Sequence, residues 1–504
     1  MKLITKSRFL AYQMCPKDAW FRIHKPELEE FEISTTVQGI MDQGVEVEEY
    51  SKKLKLFSGF IEVKSRGFSE FKKEVDDLMK NKTPVIYQPS FAIDGYMIRC
   101  DFIVYNLKTN KWDLYEVKGT NSKKENKEPR DHISDLAFQT IVLEHYGVDV
   151  GDSYIVHLNK EYIRDEELDV EQLFIVSIST DQVEEVKDDI AREMEKAKIY
   201  LNQETEPKDG CDCHFCGRSS HCDTFSISHP EVPEYSVHDL SRIGLSKGKL
   251  QHLVENGIYH IHDIEDISDF SDTQQNQIIT HKTDKEIINK EGIAEIIDGY
   301  TYPLYFFDYE TFAPAVPIYA GFKTYQRIPI QLSLHIIDKK GGPVRHVEYL
   351  QKENKDPSVD VAKLLNETIL PGGTILAWNV SFERSVTREI AERLPEYEII
   401  LDRICGQMKD LRDIFSEQHY VHKDFRGSSS IEAVMEVLLP EMTYDHLPYT
   451  GADVGVVWWN DIVNEGPEPK DRENKMHLIL EYCKQDTFVM VEIFRILNEV
   501  INKK

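Results

Sequence analysis

The chain has 504 residues, too many for one hydrophobic core, so two to four domains are expected. A content of 41% apolar residues excludes a disordered polypeptide, and no run approaches the ~18 apolar residues of a membrane span. The formal charge of −29, from 89 acidic and 60 basic residues, excludes loose adhesion to DNA through a basic surface, because such binding neutralises phosphates with Lys and Arg. It does not exclude an enzyme whose carboxylates hold cations against phosphates.

The N-terminus, Met1 to Trp20, has only broken apolar stretches such as Phe9-Leu10-Ala11 and does not read as a secretory signal, so a cytoplasmic location and no membrane partner are expected. Ser7 to His24 is helix-like. Ile86 to Ala92, Tyr96 to Tyr105 and Trp112 to Val117 read as strands separated by turns at Asp94-Gly95 and Thr109-Asn110. Helical spacing returns over Ile133 to His145. Lys108, Lys111, Lys118, Lys123, Lys124, Lys127 and Arg130 form a local basic stretch that reads equally as a substrate track or a solvated loop. Eight cysteines in a cytoplasmic chain suggest metal or burial before disulfides, and four of them fall within 211–222.

From about 230 to 297, Leu240, Ile243, Leu250, Leu253 and Ile258 alternate with Gly244, Gly248 and Gly257, predicting short helices joined by glycine turns. Either a plain helical spacer or a helix-hairpin-helix-like unit fits, the latter holding phosphates on amides at helix starts. A third region opens with the strand Leu304 to Phe307, followed by strands at Ile330 to Ile337 and Thr374 to Trp378 and then mostly helices.

Two sets of acidic residues carry the chemistry. Hydrolysis of a phosphodiester needs a cation on the phosphoryl oxygen and a group to position water. In the first set, Asp101 and Glu116 end adjacent strands, Lys118 shares the face of Glu116 two residues on, and Gln139 reaches in from the next helix. In the second, Asp308 and Glu310 project together from one strand, Glu383 lies just inside a helix, and Tyr482 precedes Asp486 by one helical turn.

Asp101, Glu116-Val117-Lys118 and Gln139 resemble the RecB-like branch of the PD-(D/E)XK superfamily. The resemblance implies Asp101 and Glu116 as ligands of Mg2+ or Mn2+, and Lys118 and Gln139 as catalytic residues. Such enzymes place a histidine ligand on an early helix after a glycine; in Gln43-Gly44-Val45-Glu46 that position holds Val45, with Glu46 as the substitute.

Cys15-Pro16, with the distant Cys213-His214-Phe215-Cys216 and Cys222, is similar to the iron–sulfur arrangement of CRISPR-associated adaptation nucleases and related helicase-nuclease subunits. This implies a structural 4Fe-4S cluster on Cys15, Cys213, Cys216 and Cys222. Zinc on Cys211, Cys213, Cys216 and Cys222, with His214 or His221 available, is the alternative.

The second set resembles the DnaQ-like exonucleases of the Asp-Glu-Asp-Asp type with a tyrosine in the last motif. Asp308, Glu310, Glu383 and Asp486 would bind two Mg2+ or Mn2+ ions and Tyr482 would orient the attacking water, with Glu383 one methylene longer than the usual aspartate. Together with Gln331 to His335, Gly427 to Ile431 and Tyr482 to Thr487, these residues resemble a bacterial family that fuses a RecB-like nuclease to a DnaQ-like exonuclease.

The expected architecture is α/β and multidomain. A PD-(D/E)XK restriction-endonuclease-like core with iron–sulfur cysteines occupies 1–228, a small helical linker 229–298, and an RNase H-like (DnaQ) exonuclease 299–504. The expected function is hydrolysis of DNA, as single strands or at 3' ends, by a two-metal mechanism in the C-terminal domain, with a second and possible endonuclease site in the N-terminal one. The alternatives are a nucleic-acid-binding scaffold with one or both sites inactive, and an RNA-directed exonuclease.

Overall fold

The structure is a computed structural model describing residues 2–28, 34–64, 68–122, 132–464 and 469–503. Lys123, Lys124, Lys127 and Arg130 of the expected basic stretch lie outside the described residues. The chain is an α/β protein of two compact units. The first comprises Met1–His214, His221–Pro230 and Pro314–Gln326, and the second Phe215–Ser220, Glu231–Ala313 and Arg327–Lys504. Two short pieces thus depart from linear order: 215–220 packs with the second unit and 314–326 with the first.

The first unit opens with helices α1 (Lys6–Met14) and α2 (Pro16–His24). They were expected as one helix, but Pro16 has no amide to continue α1, so the chain turns extended at Cys15 and Pro16 starts the next helix. After α3 (Thr35–Ser51) come strands β1 (Val85–Tyr87), β2 (Phe102–Asn106) and β3 (Lys111–Lys118), helix α4 (His132–Tyr146), strands β4 (Val150–Leu158) and β5 (Phe174–Ile178), and α5 (Thr180–Leu201). The expected strand Ile86 to Ala92 is split. Gln88 takes a left-handed φ of 53° before Pro89, and Val85–Tyr87 and Ser90–Ile93 enter different sheets.

The main sheet runs Ile61–Glu62, β1, β2, β3, β4, β5, with β3 and β4 parallel and β2 and β3 antiparallel. Alternate strand residues fill opposite cores. Ile103 and Leu114 pack with Phe9, Phe138 and Met194 from α1, α4 and α5. Phe102 and Tyr115 pack on the other face with Val47 of α3, Phe57, and Ala315 and Val316 of the 314–326 segment. That segment is further tied by the Ala315 amide donating to Gln43 Oε1 at 2.7 Å and the Arg164 guanidinium donating to the Pro317 carbonyl at 2.7 Å.

In the second unit, α6 (Lys247–Glu255) and α7 (Asp272–Thr283) enclose a small core of Leu240, Ile243, Leu250, Ile261 and Ile278. A sheet follows, built of β6 (Leu304–Phe312), β7 (Ile328–Ile337), β8 (Val344–Leu350) and β9 (Thr374–Ala377), then, beyond α8 (Val380–Arg393), β10 (Met408–Asp410). Its order is β8-β7-β6-β9-β10, the first three antiparallel and the rest parallel to β6. Helices α9 (Gly451–Val457) and α10 (Pro469–Asn502) complete the unit. Leu304 and Phe306 face Val489, Met490 and Phe494 of α10, while Tyr305, Phe307 and Tyr309 face Val386 and Ile390 of α8. β6 is thereby held between two helices. Among the described residues, no helix is long and apolar enough to cross a membrane.

Candidate metal and nuclease sites

In the first unit Asp101 immediately precedes β2 and lies across from Glu116 on β3, since Phe102 pairs with Tyr115. Its Oδ2 accepts the Val117 amide at 2.7 Å. Glu116 is 2% exposed. Its Oε1 accepts from Lys118 Nζ at 2.8 Å and from Lys6 Nζ at 2.6 Å, and its Oε2 accepts from Gln139 Nε2 at 2.8 Å. Asp135 completes the group, accepting from Gln139 Nε2 at 2.9 Å and from Lys118, with Lys6 Nζ at 3.4 Å. Asp101, Glu116, Lys118 and Gln139 are therefore brought together at one place.

The electrostatics of this cluster are split. Burial alone would raise the Glu116 carboxyl, but the ammonium of Lys118, with that of Lys6, overcomes it and holds the acid well below the carboxylate range. Asp101 is pushed well above that range by burial and then by the charge of Glu116. Among the described residues the buried Gln139 Oε1 has no hydrogen-bond partner.

The α3 position expected to supply a ligand is turned to solvent. Val45 is 59% exposed, and burial raises the carboxyl of Glu46 while Lys53 draws it down. The α3 acid whose charge bears on Asp101 is Glu48, which accepts from Tyr87 Oη and Gln88 Nε2, each at 2.7 Å. Glu48 lies one helical turn beyond Gly44, whose Cα would stand 3.8 Å from a Cβ on Gly119, just past Lys118. Sequence spacing contained this signal, since i and i+4 share a helix face. The same rule points from Gln139 back to Asp135. Lys6, by contrast, carried none.

The cysteine group in the first unit consists of Cys15, Cys211, Cys213 and Cys222, whose sulfurs all lie within 4.8 Å of one another. Cys211 and Cys222 are 3.7 Å apart. Cys15 sits at the α1–α2 break, where the amide of Lys17 donates to the Gly210 carbonyl at 3.0 Å. Asp18 of α2 accepts from both the amide and the hydroxyl of Thr224, tying the ends of the unit together. Cys216, expected as a ligand, falls in the 215–220 stretch of the second unit, and Cys211 joins the group instead. There Arg218 is anchored on Asp239 at 2.7 Å, and a Cβ on Gly217 would lie 3.2 Å from the Gly244 amide nitrogen, which fixes the stretch against 239–244.

A tetrahedral ion with metal–sulfur bonds of about 2.3 Å spaces its sulfurs by roughly 3.8 Å. The four thiols fit such an ion. A four-iron cluster binds each thiolate to a different iron and spreads the sulfurs farther than they stand here. Hydrogen bonds among the thiols, led by that with Cys15, lower Cys211 and Cys213. In Cys222 the contribution of Cys15 is outweighed by Cys211 and Cys213, which raise it.

In the second unit Asp308 and Glu310 project from one face of β6, within the strand rather than at its end, and Asp486 meets them from α10. One oxygen from each of the three lies within 4.8 Å of the others. Glu383, in the first turn of α8 after the left-handed Asn379, stands outside that trio but is 2% exposed, with Oε2 buried and without a hydrogen-bond partner among the described residues. Among the described residues none of the four forms an ion pair with Lys, Arg or His.

Burial raises Asp308 to about 7, moderated by the Cys483 thiol, which donates to its Oδ2 at 3.2 Å. Burial and then the charge of Asp308 raise Glu383 to about 9 and carry Glu310 and Asp486 well above the carboxylate range. Tyr482 is pushed up by burial and then by Asp486 and Glu310. A Cβ on Gly451 would lie 3.3 Å from the Tyr482 hydroxyl and 3.5 Å from Glu310 Oε1, so phenol and carboxylate meet across the space this glycine leaves. Tyr444, which no sequence signal marked, donates its hydroxyl to Asp486 Oδ1. Ser430 caps the helix Ile431–Leu438 through the Ala433 amide and has no place in this chemistry.

Residues 305–430 match the family model described as a domain of unknown function (DUF2779). The match includes Asp308, Glu310 and Glu383 and ends before Tyr482 and Asp486. No curated protein matches the chain.

Proposed function

We propose that the chain is a divalent-metal-dependent nuclease whose second unit removes nucleotides from the 3' ends of DNA strands. The observation that carries this reading is the group of four carboxyls, the half-buried trio Asp308, Glu310 and Asp486 with the buried Glu383, which among the described residues has no ion-paired cation and has the Tyr482 hydroxyl beside it. Uncompensated buried charge is costly, and a group built this way is stabilised by cations from outside the chain. Mg2+ or Mn2+, when bound, would polarise the phosphoryl oxygen and lower the pKa of water.

Asp308, Glu310 and Asp486 would hold such ions, with Glu383 reaching from α8. Tyr482 would orient the attacking water, and Tyr444 fixes the carboxylate of Asp486. The sheet order, three antiparallel strands followed by two parallel to the first, supports an RNase H-like (DnaQ) fold. In the first unit the succession α3, β1, β2, β3, α4, β4 supports a PD-(D/E)XK core, with Asp101 and Glu116 as its ligands and Lys118 and Gln139 beside them. We assign the Cys15, Cys211, Cys213 and Cys222 group a structural metal, and the sulfur spacing favours zinc.

The test is a 5'-labelled single-stranded DNA incubated with Mn2+, with RNA of the same sequence in parallel. Progressive shortening from the 3' end that disappears in Asp308→Ala and persists in Glu116→Ala is expected. Full activity in Asp308→Ala would remove the second unit from the reaction.

A further inference from the structure

We propose that Lys6 is an internal cation of the first-unit site, held on Glu116 where a divalent ion would bind, so that metal entry requires its ammonium to leave. The inference rests on the reading of Asp101 and Glu116 as metal ligands. Glu116 Oε1 receives two ammoniums, Lys6 at 2.6 Å and Lys118 at 2.8 Å, while Oε2 receives the Gln139 amide. A divalent cation cannot share that oxygen with both lysines, because like charges at contact distance repel.

The two lysines are not equivalent. Lys118 projects from β3 in the same sheet as Glu116 and is also bonded to Asp135. Lys6 reaches in from the first residue of α1, just after the Thr5 cap, and keeps 26% of its side chain exposed. Lys118 is 21% exposed, so the two differ less in access than in attachment: Lys6 comes from a separate segment and stands 3.4 Å from Asp135, whereas Lys118 bonds Asp135 directly. The fully buried Gln139 Oε1, without a hydrogen-bond partner among the described residues, marks a second acceptor at the same place. Lys6 thus makes first-unit metal binding weaker than the carboxylates alone would allow.

The experiment titrates Mn2+ by calorimetry and by loss of its free-ion paramagnetic resonance signal, using the full chain with Asp308→Asn and Asp486→Asn so that the second unit is silent. Lys6→Met is expected to bind Mn2+ about tenfold tighter or more, since a neighbouring opposite charge biases a carboxylate by one to three powers of ten. Lys6→Arg, which keeps the charge, is expected to bind as the parent does. Lys6→Gln, which keeps a donor toward Glu116 without the charge, repeats the gain should the methionine variant fail to fold. Unchanged or weaker affinity in both neutral variants overturns the role of Lys6 and leaves the metal site standing. No binding in parent or neutral variants, or binding that survives Glu116→Gln, overturns the metal-site reading itself and the role of Lys6 with it.

Discussion

The two acidic clusters are built from similar parts and balanced in opposite ways. In the first unit Glu116 and Asp135 are met by Lys6 and Lys118, and the two ammoniums hold the buried Glu116 below the carboxylate range, while Asp101 beside them is pushed up. In the second, Asp308, Glu310, Glu383 and Asp486 have no such partners among the described residues, and every one is shifted upward from its ordinary value. A carboxylate beside a strand end therefore says little by itself. What separates a self-neutralised cluster from a cation-seeking one is the count of lysines that the rest of the chain delivers to it.

The largest way to break this comparison is Asp308→Ala. It should reduce Mn2+-dependent 3' shortening by about 10³-fold or more, as expected when a metal's several kcal/mol of charge stabilisation is lost. Glu116→Gln should act in the reverse sense, on stability rather than on that activity. It leaves Lys6 and Lys118 with Asp135 as their remaining carboxylate, and after discounting for their partial exposure the cost is about 2 kcal/mol, read as a lower denaturation midpoint.

The pH dependence sharpens the contrast. An acid whose folded pKa is raised contributes stability that is full below its unfolded value, about 4, and is lost as the pH rises through the folded value. For Asp308 and Glu383 those values are about 7 and about 9. The metal-free protein should therefore lose Tm across that window, Mn2+ should restore more at pH 8.5 than at pH 6, and Asp308→Asn should flatten the profile. A metal-free Tm that is level from pH 5 to 9 would mean that the acids are compensated.

At the cysteines, Cys211→Ser should strip a stoichiometric zinc that Cys216→Ser leaves in place. Iron with a broad band near roughly 400 nm, lost on Cys216→Ser, would instead reinstate the cluster and its original ligand set. The smallest expected effect is Tyr444→Phe, a fewfold loss in turnover from an Asp486 no longer fixed by the phenol.

Much of the second site was legible because its acids sit at spacings that secondary structure imposes: Asp308 and Glu310 at i, i+2 on a strand, Tyr482 and Asp486 at i, i+4 on a helix. In the first site Asp101, Glu116, Lys118 and Gln139 were legible for the same reason. Asp135 and Glu48 were one helical turn from residues already noted and were missed by register alone. Lys6, Tyr444 and the choice of Cys211 depend on contacts between segments far apart in the chain, as in the 110 residues between Lys6 and Glu116. No local periodicity encodes these. The single helix expected over Ser7 to His24 failed at Cys15 because the proline after it was not given its full weight.

The path of the backbone through 314–326 has a practical corollary. Immediately after the strand bearing Asp308 and Glu310, the polypeptide supplies Ala315 and Val316 to the interior that also contains Val47, Phe57 and Tyr115. A fragment ending near residue 228 would begin life with a vacancy there and with the Gln43 and Arg164 anchors idle. The front half is thus not a detachable cassette, and attempts to express, swap or evolve it alone must carry this later stretch along.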